Sequence, residues 1–219
     1  MKKIIYLLFN FGVFFCYSQT HKAVYSFKVE ANPITGETTT ADEINPLAED
    51  NAFYLYFDEV QSYYTSYNVE NHQKDMSDAF AGSYSPLKYF YKKKAFQKNV
   101  DIDKLYSYTY INDVDWELTK ETKDISGYTC IKANGLLKDV SNPSKSYKIE
   151  AWFAPEVAYP VGPAFYAGLP GIIVYLVYEN YLIHKLESIK FNDNSLDINS
   201  IECKGELLSK EQYIEYLKS

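Results

Sequence analysis

The sequence predicts a mainly β protein: a single strongly curved antiparallel sheet, half-barrel or sandwich-like, with a few short helices that include one at the C-terminus. Three observations support this fold class. Apolar and polar residues alternate with a period of two along several segments. Tyrosine, which suits half-buried strand surfaces, occurs 23 times. Clusters of turn-forming residues separate the segments, and the connections near the C-terminus are too short for crossover helices.

The predicted strands of the N-terminal half begin with His21–Glu30 and Ala52–Asp58, where apolar residues alternate with polar ones. Between them, Ala31–Asp50 contains two prolines, a glycine and three consecutive threonines, which predicts a flexible loop. Further strand candidates, rich in tyrosine and lysine or short, are residues 62–68, 88–94, 104–111 and Trp116–Thr119.

The C-terminal half predicts two antiparallel hairpins. Tyr128–Lys138 and Lys145–Phe153 are separated by a cluster of turn formers and form the first pair. Ile172–Glu179 is almost continuously apolar, as expected of a strand that is covered on both faces. Tyr181–Phe191 follows after one residue, which favours a hairpin over a crossover helix.

Helix signals are scarce. Asn71–Ala81 is weakly amphipathic. Ser209 resembles an N-cap, with Gln212 three residues later, and Tyr213 and Leu217 belong to an apolar stripe that could dock on the sheet. We therefore predict a short C-terminal helix.

The N-terminus has the three-part plan of a secretory signal peptide. Lys2 and Lys3 form a charged region, Ile4–Cys16 is apolar except for one asparagine, and small residues precede a predicted cleavage between Ser18 and Gln19. The apolar run is too short to span a bilayer as a helix. We predict a signal peptide at residues 1–18 and one β domain at residues 19–219, in a protein that is periplasmic or secreted.

Composition narrows the class of partner. Removal of Lys2 and Lys3 would change the net charge from −7 to −9, and every basic residue is a lysine. Arginine forks, which grip phosphate and guanine, are absent, so a nucleic-acid partner is not expected. No later stretch is long and apolar enough to span a membrane, so no transmembrane segment is expected in the mature chain. The oligomeric state is not determined by the sequence.

No residue pattern predicts a catalytic, metal or cofactor site. His21, His72 and His184 are scattered without metal-ligand spacing, and no nucleophile-elbow motif is present. Carboxylate pairs are expected by chance in a chain with 29 acidic residues. We assign no catalytic residue, no metal ligand and no cofactor.

Two cysteines remain after the predicted cleavage, Cys130 and Cys203. In an oxidising compartment such a pair can form a disulfide, and two buried free thiols are the alternative. Both readings stay open at the level of sequence.

The most distinctive segment contains Gly162-Pro163 and then Gly168-Leu169-Pro170-Gly171. The second group predicts a type II turn, with Pro170 at its second position and Gly171 supplying a positive φ at its third. Gly168 would allow a close backbone approach. These residues, together with Trp152, are candidates either for a rigid turn that starts a core strand or for contact with a ligand.

Five blocks in and around that segment stand out: Gly168-Leu169-Pro170-Gly171-Ile172-Ile173, Trp116-x-Leu118, Lys120-Glu121-Thr122-Lys123-x-Ile125-x-Gly127-Tyr128-x-Cys130-x-Lys132-Ala133, Ala151-Trp152-Phe153 and Val161-Gly162-Pro163. Together they resemble the GLPGLI family, secreted proteins of the Bacteroidetes. The resemblance covers residues 110–192 well. In the N-terminal half it extends only to the order of the parts: a signal peptide, a first strand and then a pair of strands rich in tyrosine and phenylalanine. It implies an envelope or secreted location and a mostly antiparallel β fold. It implies no biochemical activity, since the family has no established one.

Three hypotheses for function follow. The first is a non-enzymatic cell-envelope binding or accessory protein, whose aromatic residues (Tyr54, Tyr56, Trp152) contact a hydrophobic small molecule or an envelope protein. The second is an envelope hydrolase that acts on glycan or peptide through carboxylates such as Glu156. The third is a purely structural or assembly protein. We favour the first.

Overall fold

The structure is a computed structural model that describes residues 19–30, 52–65, 87–93, 95–101, 106–111, 114–139, 142, 144–193, 195–201, 206–216 and 218. These residues form strands β1 (His21–Val29), β2 (Ala52–Phe57), β3 (Gln61–Thr65), β4 (Leu87–Phe90), β5 (Ala95–Asp101), β6 (Tyr106–Ile111), β7 (Val114–Ile125), β8 (Tyr128–Lys138), β9 (Ser146–Ala154), β10 (Ile172–Tyr178), β11 (Leu182–Lys190) and β12 (Glu206–Leu208), and helix α1 (Lys210–Tyr216). The predicted signal peptide, the loop at Ala31–Asp50 and the helix at Asn71–Ala81 lie outside the described residues.

All twelve described strands belong to one sheet, in the order β12-β6-β5-β4-β3-β2-β1-β11-β10-β9-β8-β7. Neighbours are antiparallel except β12 and β6, which are parallel. The sheet curls into a half-barrel, so the predicted fold class is confirmed. In the part of the chain that the structure describes, no helix is long and apolar enough to cross a membrane.

The hairpin of β7 and β8 shows what the sequence signal detects and what it misses. β8 begins and ends at the predicted residues, and Ser126 and Gly127 form a two-residue turn with φ of 51° and 83°, as a type I′ turn requires. β7 is longer than the predicted Trp116–Thr119, since residues 120–124 are exposed on both faces of this edge strand and do not alternate. A bulge lies between Leu118 and Thr122.

The register defines two faces of the region β7–β11. One face, here called the motif face, carries Ala133, Ala151, Leu176 and His184 in one row across neighbouring strands. The opposite face, here called the groove face, carries Lys132, Trp152, Tyr175 and Lys185 in the equivalent row. Successive strand residues point to opposite faces, so every residue of β8 and β9 is assigned to one of them.

The sheet opens at the start of β10. Only Tyr175–Tyr178 pair with β11, whereas β9 pairs with β10 from Ile172 onward. Two side chains cross the opening: the Tyr25 hydroxyl donates to the Ile173 carbonyl at 2.7 Å, and the Ser126 hydroxyl donates to the Leu186 carbonyl at 2.7 Å. The largest apolar cluster fills this region and joins β1 and β2 to β9 and β10.

Residues 195–201, here called the C-terminal strap, cover β2 and β3 on the side opposite the main core. Ile198 and Ile201 pack on Tyr56 and Tyr63. The buried ammonium of Lys88 donates to the carbonyls of Ile198 and Ile201 at 3.1 and 2.7 Å. These two bonds and the apolar contacts hold the strap against the sheet.

The predicted C-terminal helix is confirmed as α1, and its cap is the predicted one. The Ser209 backbone amide donates to the Gln212 side chain at 2.7 Å, and the Gln212 amide donates to the Ser209 hydroxyl at 3.2 Å. This reciprocal capping box satisfies two amide hydrogens that a free helix end would leave unpaired. The ring of Tyr213 stacks on Tyr108 of β6, with centroids 3.9 Å apart.

Candidate functional site

The predicted turn at residues 168–171 has a different geometry from the one expected. Gly168 is in the left-handed region, with φ of 96°, while Gly171 is not, so the prediction that Gly171 supplies the positive φ is wrong. The Gly171 amide donates to the Leu169 carbonyl at 2.8 Å, which closes a tighter turn around Pro170 than a type II turn. The sequence signal located the turn correctly but assigned the positive φ to the wrong glycine.

Gly162 and Gly171 are both required for close packing. A Cβ at Gly171 would lie 2.7 Å from the Ala154 carbonyl carbon and 2.9 Å from the Pro155 Cα. A Cβ at Gly162 would lie 2.6 Å from both the Ile173 Cδ1 and the Tyr166 carbonyl oxygen. Real Cβ atoms do not approach other atoms so closely, so each glycine allows the segment between β9 and β10 to pack against the strands it connects.

The remaining motif residues attach this segment to the motif face. Leu169 is buried among Ala151, Phe153 and Leu176. Pro163 accepts a hydrogen bond from the Tyr166 amide at 3.1 Å, and Pro170 is exposed. The Trp116 indole donates to the Ala167 carbonyl at 3.0 Å, which links β7 to the segment. The motif face of β8–β10 is therefore covered by the chain's own side chains.

Trp152 lies on the groove face and is only 9% exposed. Its indole donates to Glu150 at 2.9 Å, and the ammonium groups of Lys123 and Lys132 stand 6.0 and 5.8 Å from its ring centroid. Lys132 also pairs with Glu150 at 3.0 Å. These contacts cover the Trp152 ring, so it does not offer an open aromatic surface.

Glu150 is the carboxylate most affected by its surroundings on this face. Burial favours its neutral form, but hydrogen bonds from Trp152 and Lys132 outweigh burial and lower the pKa of Glu150. A carboxylate with a lowered pKa is a poor general acid near neutral pH. Glu156, the carboxylate suggested for a hydrolase, is exposed and makes no described ion pair.

Next to Trp152, the groove face contains an open groove of 510 Å³. Its lining comes from four neighbouring strands and the β10–β11 turn: Asp115, Trp116, Glu117, Asn134, Gly135, Leu136, Lys148, Ile149, Glu150, Val177 and Asn180. The side chain of Leu136 is 48% exposed there. Asp115 and Glu150 are paired with lysines, whereas Glu117 has no ion-pair partner among the described residues.

The turn that borders this groove is strained. Glu179 and Asn180 both have positive φ, at 48° and 65°. Asparagine tolerates this region, but glutamate does so at a cost. The Glu179 carboxylate accepts a hydrogen bond from the Lys148 amide, and the Glu179 amide donates to the Lys148 carbonyl at 2.9 Å. Strained turns concentrate at functional sites, which makes this end of the groove a candidate contact surface.

The remaining aromatic candidates are inside the fold. Tyr56 is fully buried and Tyr54 is half-buried, both beside the C-terminal strap. The Lys22 ammonium lies 5.2 Å from the Tyr54 ring and 5.5 Å from the Tyr56 ring. This pair therefore belongs to a packed layer between the sheet and the strap.

Two histidines are described, and both are buried. His184 packs among Phe27, Phe53 and Tyr64, and burial lowers the pKa of His184 to about 3. His21 lies beside Phe57, Tyr159 and Phe191. Among the described residues, no group of three His, Cys, Asp or Glu side chains could hold a metal ion.

Cys130 is buried, and burial raises the pKa of its thiol to about 11. A thiol with a raised pKa is a weak nucleophile near neutral pH. Cys203 lies outside the described residues, so its pairing with Cys130 stays a prediction.

Sequence reasoning did not find the groove, because its residues come from four strands whose register is set by distant parts of the chain. One local signal was present. Asp115 and Glu117 are two positions apart, on either side of Trp116. In a strand this spacing puts both acids on one face. The register then brings Asn134 opposite Glu117 and Glu150 opposite Asn134.

Comparison with known proteins gives one family match and a fold likeness. A family model described as "Protein of unknown function (Porph_ging)" matches residues 137–175, from the end of β8 through β9 and the motif segment into β10. No curated protein gives a significant match.

Two solved structures of PNGF-II, in space groups P21 and C2, share the fold. Their TM-scores are 0.62 and 0.60, at 15% sequence identity, and each likeness covers 92% of this chain. The chain spans 34% and 32% of the length of those two structures. At this identity the likeness concerns the fold alone.

Proposed function

We propose that this protein is a non-enzymatic binding or accessory protein of the cell envelope, which holds a partner protein in the groove between β7 and β10. The observation that carries the proposal is the groove itself. It combines an exposed leucine, the carboxylate of Glu117, which has no ion-pair partner among the described residues, and a strained border turn on one face. Partner surfaces commonly combine an exposed apolar side chain with polar neighbours.

A partner protein fits the groove better than a hydrophobic small molecule does. Sites for small apolar ligands are mostly enclosed and lined by apolar and aromatic side chains. The motif face is covered by Tyr166 and Leu169, and the candidate aromatic residues Tyr56 and Trp152 are buried. The groove is open and its lining is rich in charged side chains, as polypeptide-binding surfaces often are.

The envelope location rests on the sequence. The signal-peptide pattern at residues 1–18 is the main supporting feature. The GLPGLI resemblance extends over residues 110–192, and the matched family model falls inside this range. Membership of the GLPGLI family is therefore part of the proposal.

Site-directed photo-crosslinking tests the proposal in the native envelope. A benzoylphenylalanine placed at Leu136 should give a discrete adduct with one envelope protein. The control position is Val60, which is 45% exposed against 48% for Leu136 but lies in the turn between β2 and β3. A lipid adduct at Leu136, or equal protein adducts at both positions, would contradict the proposal.

A charge-reversal pair adds a second control. Glu117→Lys should abolish the Leu136 adduct, because it replaces a negative charge in the groove lining with a positive one. Glu156→Lys makes the same charge change at an exposed residue outside the groove and should leave the adduct unchanged. Loss of the adduct in both variants would point to long-range electrostatics instead of the groove.

A further inference from the structure

His21 connects three parts of the chain that are far apart in sequence. Its Nε2 lies 2.7 Å from the Tyr159 hydroxyl, and the Asn192 backbone amide donates to its Nδ1 at 3.0 Å. The residue as a whole is only 7% exposed. Through these bonds β1 holds both the segment between β9 and β10 and the turn that follows β11.

The Asn192 bond determines the protonation state of the ring. A backbone amide is a donor only, so Nδ1 must be an unprotonated acceptor, and the ring hydrogen of neutral His21 is on Nε2. That hydrogen is then donated to the Tyr159 hydroxyl. A second proton could bind only at Nδ1, where it would face the Asn192 N–H and break this hydrogen bond.

The turn held by His21 leads directly into the C-terminal strap. The next amide, that of Asp193, donates to the Thr20 carbonyl at 2.7 Å, two residues before the strap begins. The far end of the strap is held independently by Lys88 through two carbonyls. Loss of the His21 bond therefore affects the start of the strap while its far end stays attached.

We propose that His21 is a pH-sensitive latch on the C-terminal strap: when Nδ1 takes up a proton it releases the Asn192 amide, and the strap loosens at its start. The groups around the ring act in opposite directions. Burial has the largest effect and lowers the pKa of His21. The Asp58 carboxylate, a hydrogen bond with the Thr20 backbone and the Glu59 carboxylate partly raise it. Tyr159 supplies an uncharged hydroxyl, and Lys190 and Asp193 neutralise each other at 2.8 Å beside Asn192.

Release is therefore expected on the acid side of the ordinary histidine pKa. It requires no change in the groove, so the latch is independent of the proposed function. It would make the cover over Tyr56 and Tyr63 responsive to acidification, since the strap supplies Ile198 and Ile201 to that layer.

Amide hydrogen exchange followed by NMR tests the latch. The protection factors of the Asn192 and Asp193 amides, corrected for intrinsic exchange, should fall at least about tenfold between about pH 7.5 and about pH 4.5. A tenfold change in an equilibrium constant corresponds to one pKa unit. The amides of Leu176 and Val177 in β10 should keep their protection over the same range.

Two variants make the outcome specific to His21. His21→Asn keeps a side-chain oxygen as acceptor but does not titrate, so its protection should be independent of pH. His21→Phe keeps the ring contacts and lacks the acceptor, so Asn192 should be unprotected at every pH. A fall in wild-type protection that persists in His21→Asn, or no fall in the wild type, would overturn the proposal. So would ring-nitrogen shifts that place the neutral proton on Nδ1.

Discussion

The motif face and the groove face of strands β7–β10 differ in what covers them. On the motif face, Ala151, Phe153 and Leu176 are sealed by Leu169 and Tyr166 of the segment between β9 and β10. On the groove face, the same strands present Glu117, Asn134 and Leu136 to solvent. The segment from Gly162 to Gly171 therefore serves the covered face, whereas Glu117, Asn134 and Leu136 of the open face are not among the named residues of the family blocks.

This difference separates a requirement for folding from a candidate for function. Close packing requires glycine at positions 162 and 171, because a Cβ at Gly162 or Gly171 would overlap neighbouring atoms of the chain. Apart from Trp116 and Ile149, which pack on the motif face, most of the side chains that line the groove are exposed or half-exposed. A recurring motif can thus be a marker of architecture while the contact surface lies on the other side of the sheet.

The largest expected effect concerns the motif face. Gly171→Ala should destabilise the protein by about 1–3 kcal/mol, because the new methyl group overlaps the Ala154 and Pro155 backbone. Gly127→Ala is the control for backbone strain alone: Gly127 has a φ of 83°, whereas the φ of Gly171 is not positive, and no atom lies within 4 Å of a Cβ added at Gly127. Strain alone should cost it about 1 kcal/mol. Urea denaturation gives both values, and a smaller loss for Gly171→Ala than for Gly127→Ala would contradict the packing account.

The second effect is a pH dependence of the free energy of unfolding, which comes from His184 on the motif face. The folded-state pKa of about 3 lies below the ordinary value of 6.5, so the unfolded chain binds a proton that the folded protein does not. Stability should therefore fall by about 1.4 kcal/mol per pH unit as the pH drops from about 6.5 towards about 3. His184→Phe keeps an aromatic ring beside Phe27 and Phe53 and should remove this slope. An unchanged slope in the variant would assign the pH dependence to other groups.

The smallest effect on stability is expected on the groove face. Glu117→Lys changes an exposed side chain without a described ion pair, so the free energy of unfolding should change by less than about 0.5 kcal/mol. The same substitution is expected to abolish the Leu136 adduct. A large loss of stability would mean that Glu117 has a structural role and that the two faces are not separable.

The sequence predicted the parts of the fold that depend on local patterns. The bounds of β8, the caps of α1 and the hairpins of β8 with β9 and of β10 with β11 follow from alternation, turn formers and a capping box within a few residues. β5 was not predicted, and β7 was predicted too short because its exposed residues 120–124 do not alternate.

The rest depends on contacts between distant residues. The left-handed glycine of the motif is Gly168 and not Gly171, since packing against Ala154 decides the geometry of the turn. The groove arises from the register of four strands, which a single segment cannot encode. The same holds for the contact between His21 and Asn192, which lie 171 positions apart.

The central claim is that the two faces have separate roles, and one paired measurement tests it most directly. Unfolding free energy and Leu136 crosslinking yield are measured on the same preparations of Gly171→Ala and Glu117→Lys. The account predicts that Gly171→Ala loses stability while its folded fraction keeps the adduct, and that Glu117→Lys keeps its stability and loses the adduct. If Glu117→Lys keeps the adduct, or if the folded fraction of Gly171→Ala loses it, the assignment of the groove face to partner binding is contradicted.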